Sequence, residues 1–451
     1  MSESKFVCFS GAPKILMCSF LVFNFKLNAQ DSVSSSKTNW YSLHAQETTV
    51  SQYKPAMYAP YTGAHSLSTK EEWVNTLTST LFAAIKPWKY AQIVINPEVA
   101  GGSGLSSALG IAAASNGESF RVGNPAPAIY LARAYYRQLF ALNKKRSFQE
   151  EDDDKVGMEI PEKYISFTAV KISIADYFDD NTFSHNPRTQ FLSWGLMSNG
   201  AWDYPANTRG YTPSVVLEYV TKKMEIRYAV SMMPTTANGN IMDQKVDKAN
   251  AQTFEVKYKY TLNGLPGKVS ALAFMNTAFM GSYTAANISY SDTIPLYTIT
   301  ASEQYGRTKY GFGLNMEQYL TGNLGMFARA SWNDGKTETW CFTEIDEAFS
   351  LGFSLNGEKW KRKNDYIGLG YSLAGLSKQH ANYLNNGGYG FIIGDGKLNY
   401  TEENLVEAYY SLSLLNNALT ASFDYQLVIN PAYNRDRGPA NIFSLRVHLR
   451  I

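Results

Sequence analysis

The C-terminal stretch ALTASFDYQLVINPAYNRDRGPANIFSLRVHLRI, residues 418–451, contains the pattern that decides the fold. Apolar and polar side chains alternate from Leu419 to Ile429, and again from Leu445 to Ile451. Because successive side chains of a β-strand point to opposite faces, each run predicts a strand with one apolar and one polar face. A soluble β-sandwich can show the same alternation. Here the polar face carries charge, the apolar face is aromatic, and the pattern recurs along the chain, which is typical of a transmembrane β-barrel.

The first residues have the pattern of a secretory signal peptide. Lys5 and Lys14 precede an apolar run at 15–25, and Ala29 and Gln30 follow it. We therefore predict a signal peptide over residues 1–30, with cleavage near Ala29 or Gln30. The apolar run is too short to span a bilayer as a helix. We expect an exported protein that resides in the outer membrane of a Gram-negative bacterium.

Composition limits the function classes that fit the mature chain. Cys8 and Cys18 fall within the predicted signal peptide, so Cys341 remains without a partner and no disulfide is expected. Residues 1–30 also carry the whole formal net charge of +2, which leaves the mature chain neutral and without a basic field for nucleic acid. The aromatic content of 14% suits a barrel wall with aromatic girdles.

Two regions follow the signal peptide. Residues 31–73 are polar and interrupted by Pro55, Pro60 and Gly63, which predicts an irregular segment, either periplasmic or in the barrel mouth. Residues 74–451 are predicted to form an all-β, transmembrane antiparallel barrel of about sixteen strands with inward-folded loops, eighteen strands being the alternative. The last strand must pair with the first, because no sheet edge is stable inside lipid. The strand-like runs are 77–85, 90–96, 128–137, 163–174, 189–201, a two-stranded hairpin at 214–232, 254–262, 268–276, 309–317, 323–332, 347–355, 364–373, 404–414, 419–429 and 442–451.

Several segments contain residues that strand periodicity does not explain. They are Asn96-Pro97-Glu98, Gly101-Gly102-Ser103-Gly104-Leu105-Ser106, Asn116-Gly117-Glu118, Arg188-Thr189-Gln190-Phe191, GAWDYPANTRGY at 200–211, Trp360-Lys361-Arg362 with Asp365, NPAYNRDRGP at 430–439, His44-Ala45-Gln46 and Gly394-Asp395-Gly396. As an ordered set they resemble the carbohydrate-selective porin family, the OprB type, over nearly the whole mature chain. The resemblance implies a sixteen-stranded outer-membrane barrel, narrowed by inward-folded loops, through which monosaccharides diffuse passively. It assigns no selectivity residue.

Candidate constriction residues come from the polar faces of the predicted strands. A sugar is neutral and rich in hydroxyls, with apolar ring faces, so a selective pore needs aromatic platforms and polar groups that replace water. Binding has to stay weak, or the sugar does not leave. The candidates are Arg133, Arg137, Arg227, Glu255 and Arg329 on strands, and Glu98, Glu118 and Arg121 around the Gly-rich segment, which is either folded inward or extracellular. The alternative is that each residue only solvates the lumen wall, since porin interiors are polar in any case.

Other function classes remain as alternatives. One is a non-selective general diffusion porin. Another is an outer-membrane barrel enzyme, but no catalytic triad is found, and Gly101 to Leu105 ends in Leu where a nucleophile elbow needs Gly. A third, a TonB-dependent receptor, needs a plug much longer than residues 31–73. We therefore expect no enzyme activity.

The expected partners follow from the same residues. The five histidines are scattered without metal-ligand spacing, so neither a metal nor another cofactor is expected. Small sugars and outer-membrane lipid are the expected partners, and nucleic acid is not. A homo-oligomer such as a trimer and a monomer both remain open.

Overall fold

The computed structural model describes residues 39–119, 126–152, 155–288 and 298–451. The predicted signal peptide at 1–30 and the candidate Arg121 lie outside the described residues. No helix within the described ranges is long and apolar enough to cross a membrane.

Most of the described chain is β-strand. The strands are β1 (Tyr41–Lys54), β2 (Glu72–Ile85), β3 (Ala91–Gly102), β4 (Ala128–Ala141), β5 (Arg146–Gln149), β6 (Met158–Pro161), β7 (Tyr164–Ile172), β8 (Thr212–Val220), β9 (Met224–Met232), β10 (Asn250–Leu262), β11 (Leu265–Met280), β12 (Gln304–Tyr319), β13 (Leu324–Asn333), β14 (Glu347–Gly357), β15 (Arg362–Gly375), β16 (Glu403–Leu414), β17 (Leu419–Ile429) and β18 (Ala440–Arg450). All of these except β5 and β6 form one closed antiparallel barrel of sixteen strands, and β1 pairs with β18 to complete the ring. The predicted fold class and the pairing of the last strand with the first are confirmed.

Helical segments occur only in the connections between the described strands. The α-helices are α1 (Trp194–Met197), α2 (Tyr283–Ile288) and α3 (Lys378–Asn385). Short 3₁₀ turns lie at Leu105–Ser107, Ile174–Asp176, Ile299–Ser302, Glu358–Trp360, Leu415–Asn417 and Pro431–Tyr433.

The two faces of the strands divide as the C-terminal stretch predicts. Phe423 of β17 and Leu445 of β18 are exposed on the outside of the barrel. Asp424, Arg446 and His448 alternate with such residues and are buried toward the interior. An apolar outer surface around a polar interior is the arrangement of a barrel that spans a membrane.

Connections differ in length at the two ends of the barrel. They are short at the end where β18 finishes, as at 221–223 and 263–264, and long at the other end, as at 103–127, 173–211 and 376–402. Bacterial outer-membrane barrels have short periplasmic turns and longer extracellular loops. The end with the short turns is therefore the periplasmic end.

One periplasmic connection, residues 142–163, is long and contains the β5–β6 hairpin. Its Val156 is buried and packs against the inward-facing side chains of Phe82, Ala84 and Val94. These apolar side chains would otherwise face the aqueous lumen. The hairpin therefore covers part of the periplasmic mouth of the barrel.

The prediction of an irregular segment at 31–73 is wrong for Tyr41–Lys54. These residues form β1, which pairs with β2 and β18, so the barrel begins at Tyr41 and not at residue 74. The outward-facing positions of β1 include Glu47, Thr49 and Ser51. Alternation does not reveal this strand, because the middle of its outer face, from Glu47 to Ser51, lacks the apolar residues that mark the other strands.

The predicted strand at 189–201 is also wrong. This segment belongs to the long connection 173–211, contains α1, and packs inside the barrel. Phe191, Leu192 and Leu196 are all fully buried. The segment is surrounded by the barrel wall and by other loops, so its apolar residues are buried by packing and do not indicate contact with lipid. The predicted number of sixteen strands is still correct, because the sequence misses β1 and adds a false strand at 189–201.

The lipid-facing surface gives a first prediction. Leu445 lies halfway along β18, on the outer face. We expect Leu445→Arg to lower the free energy of unfolding in lipid vesicles by about 2–4 kcal/mol, because the charge has to enter the hydrocarbon. Urea titration monitored by tryptophan fluorescence measures this. The matched variant Leu449→Arg, near the periplasmic end of the same face, should cost clearly less; equal costs at both positions would contradict this membrane placement.

Candidate functional site

The connection 173–211, here called the inner loop, fills much of the barrel interior. Its Phe191 ring packs edge-on against Tyr409 of β16 and Phe327 of β13, with centroid distances of 5.0 and 5.5 Å. Gly370 on β15 allows this close approach, since a Cβ there would lie 2.9 Å from Leu196 Cδ2. The β13–β16 wall is therefore shaped to receive the inner loop.

Buried charges of the wall fix the inner loop in place. Arg329 of β13 pairs with Asp179 at 3.1 Å and donates to the carbonyl oxygens of Leu196 and Ser184 at 2.8 and 2.6 Å. Its side chain is only 2% exposed. A buried guanidinium is stable when its N–H groups are satisfied by a carboxylate and by carbonyl oxygens. Arg329 thus acts as an anchor for the inner loop.

Two further wall residues hold the same loop from β16 and β18. Glu407 accepts hydrogen bonds from the backbone N–H groups of Leu192 and Ser193 at 2.6 and 3.0 Å. Arg446 donates to the carbonyl oxygens of Pro187 and Gln190 at 2.5 and 2.6 Å. The wall therefore binds the loop through its backbone, at both donors and acceptors.

The Gly-rich segment also folds inward. Glu403 of β16 accepts from the N–H groups of Ala112 and Ala113 at 2.9 and 2.8 Å. Gln426 of β17 donates to Ser115 O at 2.9 Å. Both inward-folded segments are thus held on the β13–β18 side, and the open space of the bore lies toward β2–β4 and β9.

A cavity of about 450 Å³ occupies this space, within the range of small-molecule sites. The charged side chains that line it are Glu98, Glu118, Arg133, Lys155, Asp176, Asp179, Asp180, Arg188, Arg209 and Arg227. The aromatic side chains are Tyr130, Tyr177, Phe178, Trp194, Trp202, Tyr204, Tyr211 and Phe342. Acidic and basic side chains are equal in number among the described lining residues, so the lining has no net charge.

Arginines of the wall and of the inner loop pair across the cavity. Arg133 of β4 forms a bidentate pair with Asp176, at 2.7 Å from Nε and 2.6 Å from Nη2. Arg188 of the inner loop donates to Glu98 at 3.0 Å and to Glu118 at 3.2 Å. Planar two-point pairing of this kind holds both partners in a defined orientation. The pairs therefore set the width of the passage between wall and loop.

A further set of charges continues along the wall. Arg227 of β9 contacts three carboxylates, those of Glu218 at 2.9 Å, Glu225 at 2.5 Å and Glu255 at 3.3 Å. Glu218 also pairs with Arg137 at 2.9 Å. Shared carboxylates and guanidinium groups form a network that keeps every one of these charges paired inside the barrel.

Charges on the inner loop keep their ionised state. Burial acts against the Arg188 guanidinium, but Glu118 and Glu98 raise its pKa above the ordinary value. Burial would raise the pKa of the Asp180 carboxyl, but Lys257 and Lys268 hold that pKa well below its usual range. Arg188 and Asp180 therefore both stay charged between mildly acidic and neutral pH.

Aromatic rings form the other part of the lining. Tyr204 and Phe342 stack at 4.6 Å, and Trp194 lies 4.8 Å from Phe342 and 5.6 Å from Tyr204. Arg209 lies over the Tyr130 ring at 4.2 Å. Ring faces beside charged groups provide apolar surface and hydrogen-bonding partners within one cavity.

The predicted site residues divide into two groups. Glu98, Glu118, Arg133 and Arg227 line the cavity. Those that do not line it are Arg137, Glu255 and Arg329: Arg137 and Glu255 take part in the wall network, and Arg329 anchors the inner loop. Strand parity correctly places these three toward the interior, but the inner loop and the network stand between them and the open space.

Sequence reasoning did not select Arg188, Asp176 or the aromatic cluster. Strand periodicity does not explain the segments that contain Arg188, Trp202, Tyr204 and Tyr211. These segments are the available signal, but residues outside a strand have no parity, so the sequence does not show whether they face the bore. No group of His, Cys, Asp and Glu in the described ranges is arranged to hold a metal ion.

A closed sixteen-stranded barrel with an apolar exterior and loops folded into a polar bore defines an outer-membrane porin. Among solved structures, the fold is similar to the high-pH structure of Pseudomonas putida OprB, with a TM-score of 0.66 and 14% identity over 91% of this chain and 94% of that chain. It is also similar to the outer membrane channel DcaP of Acinetobacter baumannii, with a TM-score of 0.52 and 10% identity over 91% and 97%. At these identities the likeness concerns the fold. No curated protein matches the chain.

A family model described as "Carbohydrate-selective porin, OprB family" matches residues 65–450. The chain belongs to this family. It is a carbohydrate porin of the Gram-negative outer membrane, as its sequence motifs imply.

The loop anchor gives a second prediction. We expect Arg329→Ala to raise single-channel conductance and lower thermal stability, because Asp179 is left buried without its partner and the inner loop is freed from the wall. Loss of one member of a buried pair costs about 3–5 kcal/mol. Planar-bilayer recording and thermal unfolding measure the two effects. Arg435→Ala, at an exposed extracellular position, is the control; a variant at Arg329 with unchanged conductance would contradict the anchoring role.

Proposed function

We propose that the cavity between the inner loop and the β2–β4 wall is the passage through which monosaccharides diffuse, without any chemical step, into the periplasm. The observation that carries this proposal is the lining itself, in which mutually paired charges stand beside aromatic ring faces. The apolar outer surface is proposed to contact outer-membrane lipid, and residues 1–30 to act as the export leader.

Paired charges favour neutral solutes. Because Arg133 is satisfied by Asp176, and Arg188 by Glu98 and Glu118, the cavity offers polar atoms without a net field. An ion would have to give up its hydration for a lining that does not compensate its charge. A sugar hydroxyl both donates and accepts, so it can bond to a guanidinium and to a carboxylate in turn. The lining therefore suits a solute that is neutral and rich in hydroxyls.

The aromatic cluster gives selectivity among neutral solutes. The partly exposed Trp194 offers a ring face on the cavity, and the buried rings of Tyr204 and Phe342 pack behind it. A pyranose has apolar C–H faces that pack on such rings, whereas a small polar amide or a zwitterionic amino acid does not. Contacts of this kind are individually weak, and passage requires that the solute be released again.

Liposome swelling tests the proposed function. Purified protein in vesicles should admit hexoses clearly faster than amino acids of similar size, with disaccharides slower than hexoses. Protein-free vesicles provide the baseline. Equal rates for hexoses and amino acids would replace this proposal with a general diffusion porin.

A third prediction concerns Arg133, whose guanidinium also bonds Asn96 Oδ1 at 3.0 Å. We expect Arg133→Ala to raise the sugar concentration that half-blocks ion current by about tenfold, equivalent to ~1.4 kcal/mol, because a charged donor is lost and Asp176 is left unpaired. Sugar titration of single-channel current measures this. Arg137→Ala, four residues along the same strand but not on the cavity, is the matched control. Similar sugar block in both variants would exclude Arg133 from the sugar path.

A further inference from the structure

A groove of about 540 Å³ lies on the lipid-facing side of β15–β18. Its floor is Ala408 of β16, which points outward because its neighbours Glu407 and Tyr409 are buried toward the interior. In the barrel register Ala408 lies between the larger side chains of Leu369 and Tyr425. The other outward side chains that line the groove are Ile367, Tyr410, Phe423 and Phe443. We call this the outer groove, and its apolar and aromatic lining suits hydrocarbon.

The depth of the outer groove matches one leaflet of the membrane. Ala408 is six residues from Leu414, the periplasmic end of β16. At roughly 3.3 Å per residue and a tilt of about 45°, Ala408 lies roughly 14 Å from that end along the membrane normal, about half of a hydrocarbon core that is roughly 30 Å thick. The acyl chain of a lipid in the periplasmic leaflet therefore reaches the floor of the groove.

The periplasmic turn next to the groove is strongly basic. Residues 358–363, here called the basic turn, lead from β14 into β15. They contain four exposed cations and one carboxylate, namely Lys359, Lys361, Arg362 and Lys363 with Glu358. The periplasmic turns on either side, 320–323 and 415–418, have no charged residue. Positive charge is therefore concentrated at the periplasmic end of the outer groove.

A buried carboxylate connects the basic turn to the groove. Asp365, whose side chain is 2% exposed, accepts from Arg362 Nε at 2.5 Å and from the Tyr410 hydroxyl at 2.5 Å. The Arg362 side chain is still 42% exposed. The three lysines of the turn form no ion pair with any residue that the structure describes. The guanidinium is thus fixed beside a ring of the groove, and the lysine charges are not neutralised by the barrel.

We propose that the outer groove and the basic turn together bind one anionic phospholipid of the periplasmic leaflet, such as phosphatidylglycerol. One acyl chain lies in the groove, and the phosphate contacts the cations of the turn. Basic clusters next to the membrane-embedded surface of a protein recognise anionic headgroups in this way. An acidic peptide would also match the charge of the turn, but it would leave the apolar groove empty. The inference goes beyond the proposed function, since it concerns the outer surface and not the bore.

Native mass spectrometry of the detergent-solubilised mature protein tests this proposal. Delipidated protein is titrated with phosphatidylglycerol and, separately, with phosphatidylcholine that has the same acyl chains. Because only the headgroup charge differs, one phosphatidylglycerol should bind about tenfold more tightly than phosphatidylcholine. Equal affinities for the two lipids would overturn the proposal.

Lysine variants test the role of the headgroup. Combining Lys359→Gln, Lys361→Gln and Lys363→Gln should lower the affinity for phosphatidylglycerol to that for phosphatidylcholine. The matched control is Lys222→Gln with Lys223→Gln, which removes two lysines from the periplasmic turn between β8 and β9, away from the groove. This control should bind phosphatidylglycerol as the unmodified protein does. Undiminished binding by the triple variant would contradict a headgroup contact at the basic turn.

A variant of the groove floor tests the role of the acyl chain. Ala408→Phe fills the outer groove and should weaken the binding of both lipids, whereas Ala271→Phe, which faces outward on β11, should weaken neither. Binding of phosphatidylglycerol that is insensitive to Ala408→Phe would overturn the proposal, because a peptide-type contact with the basic turn alone has this result. Hexose swelling rates should stay unchanged in all of these variants, so failure of this proposal is distinguishable from failure of the proposed function.

Discussion

The anchoring of the inner loop to the barrel wall by buried charges is the interaction on which the bore depends. A sixteen-stranded barrel without inward-folded segments encloses an open aqueous channel. Here Arg329, Glu407 and Arg446 bind carbonyl oxygens, backbone N–H groups and a carboxylate of the loop at distances between 2.5 and 3.1 Å. Glu403 holds the Gly-rich segment in the same way. These contacts place both segments against one wall and leave the passage along the other.

The two walls thus use charge for different purposes. On the β13–β18 side, the charged groups bond mainly to the backbone of the loops, so their hydrogen-bonding atoms are occupied in holding the loops in place. On the β3–β10 side, side chains pair with side chains, as in Arg133 with Asp176 and Arg227 with Glu218. Pairs of this second kind remain next to open space and can exchange one hydrogen bond for a solute hydroxyl. This difference explains why the inner loop is held in place while the passage beside it stays open to a solute.

Strand alternation allowed the fold to be predicted because lipid contact demands an apolar residue at every second position, as in Phe423 and Leu445. Where that demand is absent, the prediction failed. The outer face of β1 carries Glu47, Thr49 and Ser51, so its sequence predicts an irregular segment, whereas Phe191 and Leu196, which are buried inside the bore, give a strand-like pattern. Parity also placed Arg133 and Arg227 toward the lumen, but it could not show which inward residues a folded-in loop would cover. Arg188, which lies on that loop, has no strand parity and escaped selection.

Crystallographic analysis of the protein soaked with a hexose tests the loop-narrowed passage most directly. The expected result is the inner loop packed on β13–β18 through Arg329 and Glu407, with density for one sugar between Arg133 and Arg188 on one side and the ring of Trp194 on the other. An open bore with the loop outside the barrel would contradict the anchoring. Sugar density confined to another surface would contradict the assigned passage.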